Sequence, residues 1–305
     1  MAEIVITGGQ GFLGKNLTER LVKNGLDVCS TYSYTPPVNI WKTPNLSLFK
    51  LDVTKFEDCL KLINQENPRL IYHLVAQPLV TAAARHPFPT FELTVRGAYN
   101  LLEAVRQTGK DCKVVMFTSD KVYGENMDAK ETDRLDTVSN TYDIAKTCED
   151  LIGRSYSQYF PVITVRSANV YGRYDLHWDR LIPHLCKEIS QGRTPVFRSD
   201  GKMLRDYIYV DDVLDGLILA SEKVPSGSSM NLGAKRSYSA LEILDNILKI
   251  SGRIDLSPAS FGKASGEIIN QHINYEYAKS LGWFPKVSLE DGLERTFRWY
   301  QGWLS

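Results

Sequence analysis

Tyr142 and Lys146 stand four residues apart in the segment NTYDIAKTCEDL. On a helix that spacing puts both side chains on one face. A phenol has an unperturbed pKa of about 10 and is a poor base at neutral pH. A neighbouring ammonium favours the phenolate, so the pair suits proton exchange with a substrate hydroxyl. The plain alternative is a surface helix pair with no chemistry.

A second group of reactive side chains lies upstream. The segment FTSDKVYG, residues 117–124, ends a hydrophobic run with Ser119, Asp120 and Lys121 in succession. A carboxyl raised by burial can donate a proton, and an amine lowered by desolvation and by a nearby Lys146 can remove one. A proton shared between the two is a coupled system rather than two separate titrations. A structural ion pair at a strand end is the alternative.

Positioning these groups requires alternating strands and helices, and the chain is patterned that way. EIVIT (3–7), DVCSTYS (27–33), LSLFKLDV (46–53), RLIYHLVA (69–76), KVVMFTS (113–119) and VITVRSANVYG (162–172) read as six strands. Helical patterns fall between them: Leu13, Leu17 and Leu21 after the first strand, residues 55–66, residues 90–107 with Leu93, Ala98, Leu101, Leu102 and Val105, and residues 141–159. The alternation predicts an α/β fold, a Rossmann-type doubly wound parallel sheet. The pattern changes after about residue 172. A dinucleotide-binding domain is expected over 1–171, with 206–232 returning to it, and a smaller mixed α/β substrate-binding lobe over 172–205 and 233–305.

Gly9, Gly11 and Gly14 satisfy G-x-G-x-x-G directly after the first strand and before a helix. That context demands a tight turn, close approach of the backbone to a pyrophosphate, and free N–H groups at a helix start. The carboxylate expected about 20 residues on to hold a ribose is absent. Tyr32 stands where an Asp is expected, with no Arg adjacent. Ser30, Thr31 and Ser33 suit either ribose, so NAD and NADP both remain open, NAD being favoured slightly. Asp52 is a candidate for the adenine edge or, equally, for a turn.

The 305 residues carry 36 Lys plus Arg and 36 Asp plus Glu, a balance that gives no reason to expect nucleic acid or an anionic membrane as partner. Hydrophobic residues make up 43%, with no run long enough to span a membrane. Five scattered cysteines, Cys29, Cys59, Cys112, Cys148 and Cys186, form no CxxC pair, and the five histidines lack ligand spacing. No metal is expected, and a reducing, cytoplasmic location is.

TGGQGFLG, Ser119, YDIAK, RSANVYG, RDYIYVDD and LGWFPKVSLEDGLERTFRWY together resemble the extended short-chain dehydrogenase/reductase family acting on nucleotide-diphosphate sugars, over nearly the whole chain. Asp120-Lys121 after the Ser is similar to the acid–base pair of 4,6-dehydratases, closest to the CDP-glucose type. HLVAQPLV and DLHWDRLIP are similar to the same type. The resemblance implies that Gly8, Gly11, Phe12, Leu13, Gly14, Asp52, Val53, Val75, Tyr142 and Lys146 hold NAD or NADP. It implies that Gln77, Asn169, Arg180 and Arg205 meet the nucleotide sugar, Arg205 at the diphosphate. Tyr142, Lys146 and Ser119 would oxidise the sugar at C4, Lys121 would take the C5 proton, and Asp120 would protonate the departing C6 hydroxyl. A 4-reductase or epimerase on the same substrates is the alternative, and a cofactor-binding regulator a third class. Two positions depart from the family pattern: Thr94 where Asn is frequent, and KASGE (263–267), which leaves only Lys263 as a tail phosphate contact. A homodimer through the helices at 90–107 and 141–159 is also implied.

Overall fold

Short β-branched runs followed by longer amphipathic stretches give this chain its order of elements. The computed structural model describes residues 2–34, 43–136, 140–197, 199–256 and 270–304. Lys263 lies outside the described residues. The first half contains β1 (Ile4–Thr7), α1 (Phe12–Lys23), β2 (Val28–Tyr32), β3 (Leu46–Lys50), α2 (Phe56–Glu66), β4 (Leu70–His73), α3 (Val80–Arg85) and α4 (Pro87–Phe91). A π-helical turn, Glu92–Arg96, leads into α5 (Gly97–Thr108) and β5 (Lys113–Ser119), and a 3₁₀ turn, Asp120–Tyr123, follows. Then come α6 (Thr141–Tyr156), β6 (Val162–Ser167), β7 (Asn169–Tyr171), α7 (Leu181–Ser190), β8 (Leu204–Tyr209), α8 (Val210–Lys223), β9 (Ser229–Leu232), β10 (Ser237–Ser239), α9 (Ala240–Ser251), α10 (Glu276–Ser280) and α11 (Leu289–Leu304).

Seven strands form a parallel sheet in the order β3-β2-β1-β4-β5-β6-β9. The strand order reverses between β1 and β4. The crevice at that switch point, outside the carboxyl ends of the strands, is where ligands bind in such sheets. Alternate strand residues face opposite layers, as the two-residue period requires. Val5, Ile71 and Val114 pack on Leu62, Ile63, Leu101 and Leu102 of α2 and α5. Ile4, Ile6 and Val115 pack on Leu17, Leu21, Val213 and Leu217 of α1 and α8. Both faces are covered, so β1 is buried throughout. No helix among the described residues is long and apolar enough to cross a membrane.

The expected doubly wound sheet with a smaller mixed lobe is present, and several boundaries differ. The run 162–172 is two strands. It breaks at Ala168, whose N–H donates to Leu232 O at 3.0 Å, and β7 then pairs with β8 in a second, three-stranded sheet, β10-β8-β7. An apolar β-branched run does not reveal a change of partner, because both strands satisfy the same pattern. The third strand stops at Lys50, the fourth at His73, and α6 at Tyr156. The helix expected over 90–107 begins at Pro87, where a proline suits a first turn, and carries the π-helical turn. Of the segment 206–232, β8 belongs to the small sheet, while α8 packs on β5 and β6 and β9 closes the large sheet.

A buried cation holds the turn after β5 in place. Arg166 on β6 is bidentate to Asp150 of α6 (2.8 and 2.7 Å), and it donates to Tyr123 Oη (2.6 Å) and Glu131 O (3.2 Å). Thr118 donates to the same Asp150 at 3.0 Å. β5, β6, α6 and the 3₁₀ turn are thereby locked together under the switch point.

Candidate active site

The loop after β1 is shaped by close contacts. Gly8 sits at φ +69°, a left-handed conformation open to glycine at little cost. A Cβ on Gly14 would lie 2.1 Å from Gly8 O, so only glycine lets α1 start this close beneath the loop. Gly11 caps α1 without any side-chain hydrogen bond. The N–H groups of its first turn, and the positive end of the helix dipole, are therefore available to an anion.

The carboxyl ends of β1, β4, β5 and β6 and the start of α6 enclose a cavity of about 930 Å³. Gly8, Gly11, Phe12, Leu13 and Gly14 line it at one end, with Thr31, Tyr32 and Ser33. Thr31 Oγ1 accepts Gly8 N–H at 3.1 Å; Ser30 is turned to Gln10 and Thr18 and is not on the wall. Val53 and Val75 line the cavity, and so does Asp52. Asp52 Oδ1 also closes a turn with the N–H and hydroxyl of Thr54, at 3.1 and 2.7 Å.

Gln77, Asn169 and Arg180 are on the wall too, each with a protein partner. Gln77 Oε1 accepts Leu79 N–H at 3.2 Å, and its own N–H donates to Thr94 Oγ1 at 3.1 Å. Thr94, from the π-helical turn, thus fastens the loop after β4. Asn169 donates to Asp206 O at 3.2 Å. Arg180 spans Asp175 and Pro78 O, both at 3.2 Å, beside the Phe12 ring. Arg205 is not among the described residues that line the cavity, although its charge acts on Asp120. Its guanidinium donates to Leu204 O at 2.9 Å, beside its own strand.

The reactive group lies in the middle of the cavity. Asn140 caps α6 by accepting Asp143 N–H at 2.9 Å, which fixes the turn that carries half-buried Tyr142. Lys146 follows one turn on, buried, donating to Phe117 O at 2.8 Å and to Glu149 Oε2 at 2.6 Å. Burial raises Tyr142 above the usual phenol value; Lys146, Arg180 and a hydrogen bond with Ser119 pull it back. The expected lowering by Lys146 is thus present but outweighed by desolvation in this state.

Ser119 Oγ donates to Asp120 Oδ1 at 3.1 Å and accepts Lys121 N–H at 3.2 Å. Asp120 is only 3% exposed, and its Oδ2 makes no hydrogen bond. Burial pushes its carboxyl up to about 6; Lys121 opposes this and Asp206 adds to it. Asp120 therefore keeps its proton to a higher pH than a free carboxyl does, which suits an acid.

Sequence reasoning missed two residues here. Gln271 accepts a hydrogen bond from Lys121 Nζ. It is delivered by the bridges Ala129–Ile273 and Leu204–Asn270 and by Asp206, which accepts from Ile273 N–H at 3.2 Å and faces His272 Nδ1 at 3.0 Å. No local pattern points to it. Glu149 does have a signal: an acid three residues after Lys146 on one helix must lie beside it.

Residues 4–233 match the profile of the NAD dependent epimerase/dehydratase family. The chain is 29% identical over 319 residues to a trifunctional UDP-glucose 4,6-dehydratase/UDP-4-keto-6-deoxy-D-glucose 3,5-epimerase/UDP-4-keto-L-rhamnose-reductase of Arabidopsis thaliana, covering 97% of this chain and 47% of the relative. It spans about half the length of that relative. Two solved structures are similar throughout. UDP-glucose 4-epimerase of Thermotoga maritima with UDP-glucose superposes with TM-score 0.92 at 27% identity, covering 99% of each chain. dTDP-glucose 4,6-dehydratase of Bacillus anthracis in complex with NAD gives 0.86 at 25% identity, covering 99% and 97%.

Proposed function

Because this chain belongs to the NAD dependent epimerase/dehydratase family, we propose that it is a nucleotide-diphosphate-hexose 4,6-dehydratase that forms a 4-keto-6-deoxy sugar. The observation that carries the reading is Asp120 and Lys121 at the end of β5, in one cavity with Ser119, Tyr142 and Lys146. An epimerase needs to move hydride and a hydroxyl proton; it has no use for a second acid and base.

The residues fit a nicotinamide dinucleotide. The uncapped start of α1 would receive the pyrophosphate, the Gly8–Gly14 contact would let it approach, and Tyr142 and Lys146 line the same cavity. When bound, the nicotinamide would accept hydride from the sugar C4 and return it at C6, so the cofactor ends unchanged. No carboxylate stands at Tyr32, which leaves NAD and NADP both acceptable to the ribose end.

The chain's own groups move the protons. Tyr142, with Ser119 beside it, takes the proton of the sugar O4 hydroxyl. Lys121 removes the proton at C5, which an adjacent carbonyl acidifies. Asp120 gives its proton to the C6 hydroxyl as it leaves as water. Gln77, Asn169 and Arg180 edge the sugar side of the cavity. The lobe formed by 172–205 and 233–305 is read as the substrate-binding part. A homodimer is proposed through α5 and α6, which expose Tyr99, Ile144 and Leu151. A monomeric mass by light scattering at micromolar concentration would count against it.

The test is incubation with CDP-glucose, dTDP-glucose, UDP-glucose, UDP-N-acetylglucosamine and GDP-mannose without added reductant. A product lighter by one water with a keto group supports the reading. A product of unchanged mass, epimeric at C4, replaces it with the epimerase reading.

A further inference from the structure

Lys146 is one end of a buried row of polar groups that reaches back to β1. Glu149, fully buried, receives the ammonium on Oε2, while its Oε1 makes no hydrogen bond. His73, at the end of β4 and equally buried, has an Nε2 without a partner 3.9 Å from that oxygen. Its Nδ1 lies 2.7 Å from Thr7 Oγ1, which also accepts Leu74 N–H at 3.3 Å. In one tautomer Thr7 donates to Nδ1. The imidazole hydrogen then sits on Nε2, facing the unpaired oxygen of Glu149.

We propose that Glu149 is a positioning residue that sets the protonation of Tyr142 through Lys146. Ionised, it balances the ammonium and leaves Tyr142 a neutral phenol. Protonated or removed, it leaves Lys146 unbalanced and the phenolate favoured. The proposal rests on the reading of Tyr142 as the group that exchanges the hydroxyl proton.

The surroundings leave Glu149 free to act on Lys146 alone. Among the described residues the titratable groups meeting it are Lys146, Asp150 and His73. Asp150 is compensated by bidentate Arg166, and His73 is held neutral, its value pushed down to about 3 by burial and by Lys146. Burial lifts the Glu149 carboxyl above its ordinary range, with Lys146 opposing.

The test titrates tyrosinate by ultraviolet difference absorbance, taking each protein against its Tyr142→Phe counterpart. In Glu149→Gln the Tyr142 midpoint is expected to fall by about one pH unit or more, as for a charge uncovered within a few ångströms. The basic-form limb of the kcat pH profile should move with it. Glu149→Asp keeps the charge but draws it back by a methylene, and should lie between. If Glu149→Gln does not fold, Glu149→Asp decides: a lowered midpoint supports the coupling and the wild-type midpoint overturns it. An unmoved midpoint in Glu149→Gln also overturns it. Full turnover by Tyr142→Phe would instead sink the catalytic reading, with the tyrosinate titration still deciding the coupling.

Discussion

The ammonium of Lys121 donates to the side-chain carbonyl of Gln271, 150 residues further along the chain. The contact joins the turn after β5 to the returning tail, and fixes where a base at this position points. Gln271→Leu removes the acceptor with little change in volume. Turnover to the dehydrated product is expected to fall by about 10- to 100-fold, since misplacing a reacting group costs rate more than binding. Cofactor content should be unchanged. Kinetics showing a raised KM with intact kcat would give Gln271 a binding role instead.

Tyr142→Phe removes the hydroxyl proton carrier and leaves the ring. We expect kcat to drop by about 10²- to 10⁴-fold, the usual share of a general acid–base group. Cofactor retention should match wild type, which absorbance of the purified protein measures.

Asp120 supplies a pH signature. Its folded value of about 6 lies above the unshifted 3.8, so the folded state holds this proton more tightly than the unfolded chain does. The associated stability is present below 3.8 and is lost as pH rises through about 6. Asp120→Asn cannot ionise. Relative to wild type it should gain stability between pH about 4 and about 8, by about 3 kcal/mol at most. Urea unfolding at the two pH values measures the difference, and comparing variants cancels the other titrating groups. A gap that does not change with pH would mean that Asp120 ionises freely. Dehydration should be lost in the same variant.

Asp150→Ala strands the guanidinium of Arg166, which is wholly buried. Breaking one side of a buried pair costs about 3–5 kcal/mol. The urea midpoint should fall accordingly, and a loss below about 1 kcal/mol would show that water enters and replaces the carboxylate.

Gly14→Ala is expected to abolish cofactor retention without unfolding the sheet. Its Cβ would stand 2.1 Å from Gly8 O, so the loop must open where an anion is to be held. Circular dichroism of wild-type shape alongside an empty nucleotide spectrum is the predicted result.

Much of this site could be read in the chain itself, because its signals are local. A glycine turn after a strand, a Tyr and Lys on one helical face, and an acid next to a base at a strand end each depend on neighbours within a few residues. So do the strands and helices, through their periods of two and 3.6. The split of 162–172 into β6 and β7 was hidden, since both partners accept the same apolar run.

What only the tertiary structure decided depends on distance along the chain. Burial set the proton affinity of Asp120 upward and let desolvation outweigh Lys146 at Tyr142. Folding brought Gln271 to Lys121 and set His73 opposite Glu149. The sequence by itself determined the local groupings, the glycine turn, the Tyr142–Lys146 face and the Ser119–Asp120–Lys121 run, through spacing. Their charges and partners followed from desolvation and long-range contacts, which no local pattern encodes.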